Sequence, residues 1–140
     1  EISACLVGSE MCIRDRDWII SKKKKDFIGK RSLERASMKQ NDRKELVGLL
    51  SDDPNTVIPE GAHAIDEKDL ELVDNNFLGH VTSSYFSSNC KRSIAMALIK
   101  NGRARKGNKL VIPLLNGDKI KAKIVNPVFF DPNGVRKNGI

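Results

Sequence analysis

The stretch KLVIPLLNGDKIKAKIV, residues 109–125, decides the fold class of this chain. Two β-prone runs flank an Asn-Gly-Asp turn at 116–118, and an Asn-Gly pair between such runs is a strong hairpin signal. In the second run Lys119, Lys121 and Lys123 alternate with apolar residues, which predicts one solvated face and one buried face. The stretch therefore predicts an antiparallel hairpin that covers a core.

Four more runs of this kind precede the hairpin, each bounded by turn-forming residues. The predicted strands are 43–50, 61–65, 77–85, 93–99, 109–115 and 119–125. The run 93–99 is apolar throughout, which fits either a buried strand or a short core helix. A short helix is predicted at 30–37, directly after Gly29. Six short strands and little helix predict an all-β protein, either a small barrel or a sandwich.

The composition is that of one soluble globular domain with a core: 140 residues, 39% hydrophobic and 31% charged. No apolar stretch approaches the roughly 20 residues of a membrane-spanning helix, so we expect no membrane partner. Three cysteines without a C-x-x-C pair and two histidines predict neither a disulfide framework nor a metal site. A reducing compartment, the cytoplasm, is therefore expected.

The net charge of +7 is concentrated in basic clusters at 22–25, 103–106 and 136–137. Such clusters attract polyanions, including nucleic acid and polyglutamylated ligands, or they simply keep a surface solvated. Aromatic residues make up 5% of the chain, which leaves little for a base-stacking platform. Nucleic-acid binding by a stand-alone basic barrel is therefore kept only as an alternative.

Three motifs carry a resemblance to a known family: DFIGKRSL at 26–33, GHVTSSY at 79–85 and PVFFDPNG at 127–134. In this order and spacing they resemble the C-terminal barrel domain of the aminomethyltransferase superfamily, the glycine-cleavage T-protein family, across 17–139. Within it, the details are most similar to the end of sarcosine oxidase alpha subunits. A T-protein or a dimethylglycine-oxidising relative remains the alternative.

The resemblance implies a closed six-stranded Greek-key barrel with one short helix, packed on an upstream folate-binding domain. It divides the chain into a linker from that domain at 17–29 and the barrel at 30–140. Residues 1–16 show no usable periodicity and resemble a translated sequencing adaptor, so we expect them to be a non-native leader.

The implied activity of the parent protein is oxidative demethylation of sarcosine, with methylene transfer to tetrahydrofolate. FAD, FMN and NAD would belong to the parent complex and not to this segment. The expected partners are the upstream folate-binding domain and the other sarcosine oxidase subunits. Because the family's key acidic residues lie upstream, we expect no catalytic residue and no metal site in this chain.

The resemblance places Lys22, Lys24 and Arg136 next to the folate. A lysine would act as a point charge on the glutamate tail, or simply as part of a solvated linker. T-proteins have a folate-contacting tyrosine near the position of Arg136, whereas this chain has none at that end. A terminal surface charge is the alternative for Arg136.

Other candidate side chains are interpreted as structural. His80 has no identifiable orienting partner, and the hydroxyls at 82–84 lie outside any nucleophile motif, so both are assigned to strand structure. Cys90 is interpreted as a bystander thiol, and Asp52-Asp53 as part of a turn. The segment 102–107 lacks the ending of a phosphate loop and is predicted to connect two strands, where it could also contact a partner domain. Trp18 is predicted to mark an interface with the absent domain.

Overall fold

The structure, a computed structural model, describes residues 21, 23–36, 42–69 and 76–138. Within these ranges one helical turn, α1, precedes six strands, β1 to β6, and two short 3-10 turns follow β2 and β6. The bounds are α1 Lys30–Leu33, β1 Lys44–Ser51, β2 His63–Asp66, β3 Gly79–Ser87, β4 Arg92–Lys100, β5 Lys109–Pro113 and β6 Lys119–Val125, with the 3-10 turns at Glu67–Asp69 and Val135–Asn138.

The six strands form a closed barrel in the order β1-β4-β3-β2-β5-β6, and every neighbouring pair is antiparallel. Strands β2, β3 and β4 are consecutive neighbours and β1 returns beside β4, which is a Greek-key arrangement. The barrel closes where β1 pairs with β6, with Gly48 opposite Val125 and Leu49 opposite Ile124. The prediction of a closed six-stranded barrel with one short helix is confirmed.

The core lies inside the barrel, and burial alternates from residue to residue along β4 and β6. In β4 every second residue is buried, which resolves the run 93–99 as a strand. In β6 the three lysines face outward and the apolar residues between them face inward, as predicted. Connecting segments add Ile58 and Leu78, which close the interior. The other buried members of the core are Val47, Leu49, Ala64, Val81, Ala95, Ala97, Ile99, Leu110, Ile112, Ile120, Ala122 and Ile124.

The helix is shorter than the predicted 30–37. It has no capping side chain at Gly29 and buries none of its residues, and its C-cap is Glu34. A helix this short depends on packing for its stability, and α1 has no buried face to supply it. The predicted strand ends shift by a few residues, because 77–78 and 114–115 lie outside the ladder.

Two glycines are required where backbone segments pass close to each other. A Cβ at Gly79 would lie 1.8 Å from the carbonyl oxygen of Leu98 on β4. A Cβ at Gly48 would lie 2.5 Å from the carbonyl oxygen of Asn126 and 2.8 Å from the ring of Phe129. No side chain fits at either position unless the backbone moves.

We expect Gly79→Ala to lower the free energy of unfolding by about 3 kcal/mol, because the new methyl group overlaps a backbone carbonyl. Urea denaturation measures this change. Ser83→Ala is the control on the same strand, and it should change the free energy of unfolding by less than about 0.5 kcal/mol. Equal stability of the two variants would show that β3 and β4 are not in the register described.

Candidate functional site

The outer surface of the barrel has two contrasting faces. The lysine face, on β5 and β6, carries Lys109, Lys119, Lys121 and Lys123. Two of its cations are paired: Lys121 Nζ lies 2.8 Å from Glu67 and Lys109 Nζ lies 3.0 Å from Asp52. The carboxylate of Glu67 raises the pKa of Lys121 above its ordinary value.

The apolar face, on β1 and β4, has aliphatic side chains where a barrel in water usually exposes polar ones. These residues alternate with the interior positions of their strands and therefore point outward. They are Leu46, Leu50, Ile94, Met96 and Leu98.

A closing segment, residues 126–131, crosses the apolar face after β6. The carbonyl of Asn126 and the ring of Phe129 lie over Gly48, where the missing side chain leaves room. Two pockets flank this crossing. Pocket A, about 460 Å³, lies on the side of Leu46, and pocket B, about 340 Å³, lies on the side of Leu50.

Three basic side chains line these pockets. Arg103 lines pocket A, and its Nε lies 3.9 Å from a carboxylate oxygen of Glu45. Arg92 lines pocket B, where its Nη2 donates to the carbonyl of Ser51 at 2.6 Å and its buried Nε has no partner. Lys106 lines both pockets. Within the described ranges, neither Lys106 nor Arg92 has a carboxylate partner.

A third pocket, about 670 Å³, lies at one end of the barrel between residues 59–63, Phe77 and residues 113–116. The rings of His63 and Phe77 are in contact there, with centroids 4.5 Å apart. His63 pairs across strands with His80. Burial lowers the pKa of His80 below its ordinary value, and the charges of Lys44 and His63 lower it further.

Two of the sequence-predicted folate residues, Lys24 and Arg136, are not among the residues that line these pockets. Lys22 lies outside the described residues, and Lys24 is exposed. The guanidinium of Arg136 lies 5.2 Å from the centre of the Phe130 ring, and its backbone N–H donates to Asp131 at 3.0 Å.

The remaining candidates are in structural environments. The hydroxyl of Thr82 donates to the carbonyl of Met96 at 3.0 Å, and the charged neighbours that act on His80 are cations, not an orienting carboxylate. Cys90 is half-buried, with its Sγ 3.9 Å from the carbonyl of Phe129. Thr56 and the amide of Asn55 lower the pKa of Asp53 by hydrogen bonding, which is turn chemistry.

Trp18 lies outside the described residues. No group of three or more metal-ligating side chains occurs in the part of the chain that the structure describes. None of the helices in that part is long and apolar enough to cross a membrane.

The segment 102–107 connects β4 to β5, as predicted. Arg105 anchors it through an ion pair of 2.7 Å to Asp66, and the backbone N–H of Arg103 donates to Glu45 at 2.9 Å. Sequence reasoning missed that this anchored turn brings Lys106 to the same surface as Arg92. Only the basic cluster at 103–106 signalled a functional surface there.

Comparison with known proteins decides the family. A model of the glycine cleavage T-protein C-terminal barrel domain matches residues 44–131. The chain belongs to this family. The match spans the barrel from the first residue of β1 to the end of the closing segment, so both faces and all three pockets lie within the matched residues.

Two groups of curated relatives match the chain. It is 37% identical to the sarcosine oxidase alpha subunit of Rhizobium meliloti (strain 1021), over 84% of this chain and 12% of the relative. It is 40% identical to that of Corynebacterium sp. (strain P-1), over 88% of this chain and 13% of the relative. An aminomethyltransferase of Thermoanaerobacter pseudethanolicus is 32% identical over 79% of this chain and 27% of the relative.

The chain therefore spans about an eighth of the length of the alpha subunits that it matches. A solved structure, glycine cleavage system aminomethyltransferase T from Bartonella henselae, is 25% identical with a TM-score of 0.49, over 61% of this chain and 21% of that chain.

The lowered pKa of His80 predicts a pH dependence of folding. The unfolded chain takes up a proton near the ordinary value of 6.5, while the folded chain resists it. The free energy of unfolding should therefore fall as the pH is lowered through 6.5, and level off once the folded imidazole is protonated too. Urea denaturation between pH 8 and pH 5 measures this, and His80→Gln should remove the dependence. If the free energy of unfolding of the His80→Gln variant depends on pH as steeply as that of the unsubstituted chain, another group is responsible.

Proposed function

We propose that the chain is the C-terminal barrel module of a tetrahydrofolate-dependent enzyme of the sarcosine oxidase alpha type. The observation that carries this proposal is that the chain has higher sequence identity to the alpha subunits than to the aminomethyltransferases. Identity is 37–40% over 84–88% of the chain for the alpha subunits, against 31–33% over 79–80% for the aminomethyltransferases. The parent reaction would be oxidative demethylation of sarcosine with methylene transfer to tetrahydrofolate.

In this proposal the barrel, residues 30–140, supports a folate site in the upstream domain of the parent protein. The linker at 17–29 joins that domain to the barrel. Tetrahydrofolate supplies the acceptor for the one-carbon unit. Lys24 and Arg136 contribute positive charge toward the carboxylates of the glutamate tail, and the stacking of Arg136 on Phe130 restricts the orientation of its guanidinium. Lys22 has the same proposed role.

The other cofactors and partners belong to the rest of the parent protein in this proposal. FAD, FMN and NAD would bind outside this chain, and the upstream domain and other subunits would be its partners in the cytoplasm. A T-protein or a dimethylglycine-oxidising parent is the runner-up. Nucleic-acid binding is less favoured because Lys121, Lys109 and Arg105 are paired with carboxylates.

A segment exchange tests the proposal. The matching segment of the Corynebacterium sp. (strain P-1) alpha subunit is replaced by this chain, and the hybrid is expressed with the remaining subunits. We expect sarcosine oxidation and tetrahydrofolate-dependent capture of the methylene group to be retained. Arg136→Gln in the hybrid should weaken the binding of tetrahydrofolate about 2–5-fold, as expected for an exposed charge, and leave the KM for sarcosine unchanged.

Lys123→Gln, on the lysine face, is the matched control and should leave tetrahydrofolate binding unchanged. A hybrid that assembles and oxidises sarcosine but no longer responds to tetrahydrofolate would contradict the supporting role. Better function of the same segment in the Thermoanaerobacter aminomethyltransferase would favour a T-protein parent. Steeply salt-dependent binding of the chain to single-stranded DNA would favour the nucleic-acid alternative.

A further inference from the structure

Pockets A and B form one surface that the proposed function does not use. Both are lined by Lys106, Val125, Asn126 and Val128, and none of the described residues 21 and 23–36 lines either one. We propose that this surface docks a short segment of another protein that has an acidic residue between two apolar anchors. One anchor would fill pocket A, the other would fill pocket B, and the carboxylate would meet Lys106.

Both pockets have aliphatic side chains in their floors. The floor of pocket A includes Leu46 and Val47, and that of pocket B includes Leu50 and Ile94. Val128 lies between the pockets and is 47% exposed, and Phe130 at the end of the closing segment is 44% exposed. Apolar pockets beside exposed apolar side chains are the usual anchor sites of protein interfaces.

This surface also carries unbalanced positive charge. Among the residues that the structure describes, no Asp or Glu lines either pocket. Glu45 neutralises Arg103, whereas Lys106 and Arg92 have no carboxylate partner among the residues described. On the lysine face, two of the four lysines, Lys109 and Lys121, are ion-paired. A partner with a carboxylate between its anchors supplies the missing charge, and such complementarity selects among partners.

The same features disfavour a nucleic acid at this surface. Nucleic acid is held mainly through its phosphates by arrays of Lys and Arg, and its bases stack on aromatic rings. Of the described aromatic residues, Phe129 alone lines either pocket, and its ring is packed against Gly48. Aliphatic floors suit the aliphatic side chains of a protein segment.

The test uses the 140-residue chain and a displayed library of random 12-residue peptides as the probe. Peptides selected on the chain should be enriched in Asp or Glu between two aliphatic residues. For one such peptide, we expect Lys106→Glu and Val128→Asp to weaken binding at least 10-fold. Lys123→Glu, the same charge reversal on the lysine face, should leave binding within 2-fold. Circular dichroism checks that each variant is folded.

Exchanging the charges of peptide and chain tests whether the acidic residue of the peptide pairs with Lys106. A peptide whose acidic residue is replaced by Lys should bind the Lys106→Glu chain more tightly than it binds the unsubstituted chain. The inference is overturned if the selected peptides lack the acidic-apolar pattern, if Lys106→Glu and Lys123→Glu act alike, or if single-stranded DNA competes for the surface. None of these results depends on tetrahydrofolate, so the inference and the proposed function fail separately.

Discussion

The architecture depends on β1 pairing with a neighbour on each side. One edge of β1 pairs with β4 and the other with β6, and this second pairing turns an open sheet into a barrel without free edges. Gly48 lies at the centre of β1, opposite both Met96 and Val125. Because Gly48 has no side chain, Asn126 and Phe129 can pack directly on the strand, and the segment that follows β6 is held over the outside of the barrel.

The crossing of the closing segment over Gly48 determines where the two pockets and the residues beyond β6 lie on the surface. It covers the middle of the apolar face and leaves a pocket on each side. It also leads the chain toward Phe130 and Arg136, where Asp131 accepts hydrogen bonds from the backbone N–H groups of Val135 and Arg136. The proposed folate contact and the proposed docking surface are therefore consequences of the same packing at Gly48.

Local patterns predicted the strands well. The alternation of lysines with apolar residues in β6 identified the strand and its buried face, because solvent and core select opposite side chains at successive positions. The same reasoning left 93–99 undecided and left barrel and sandwich both open. Closure depends on β1 pairing with β6, more than 70 residues along the chain. No local period contains that information, and the barrel prediction came from the family resemblance.

The candidate site was harder to predict for the same reason. Arg92 is the first residue of β4 and Lys106 lies on the connection between β4 and β5, and the fold brings them to one surface. Neither has a carboxylate partner among the described residues, which is a property of three-dimensional neighbours and not of sequence spacing. Arg136 was found from the resemblance, and its stacking on Phe130 has no sequence signature.

Closure of the barrel between β1 and β6 is the central claim, and NMR spectroscopy of the chain tests it most directly. We expect cross-strand NOEs between Leu49 and Ile124. We also expect slow exchange of the Asp52 amide, because it donates to the carbonyl of Lys121 at 2.9 Å. If β1 shows NOEs to β4 but none to β6, and the Asp52 amide exchanges rapidly, the sheet is open and the account is contradicted.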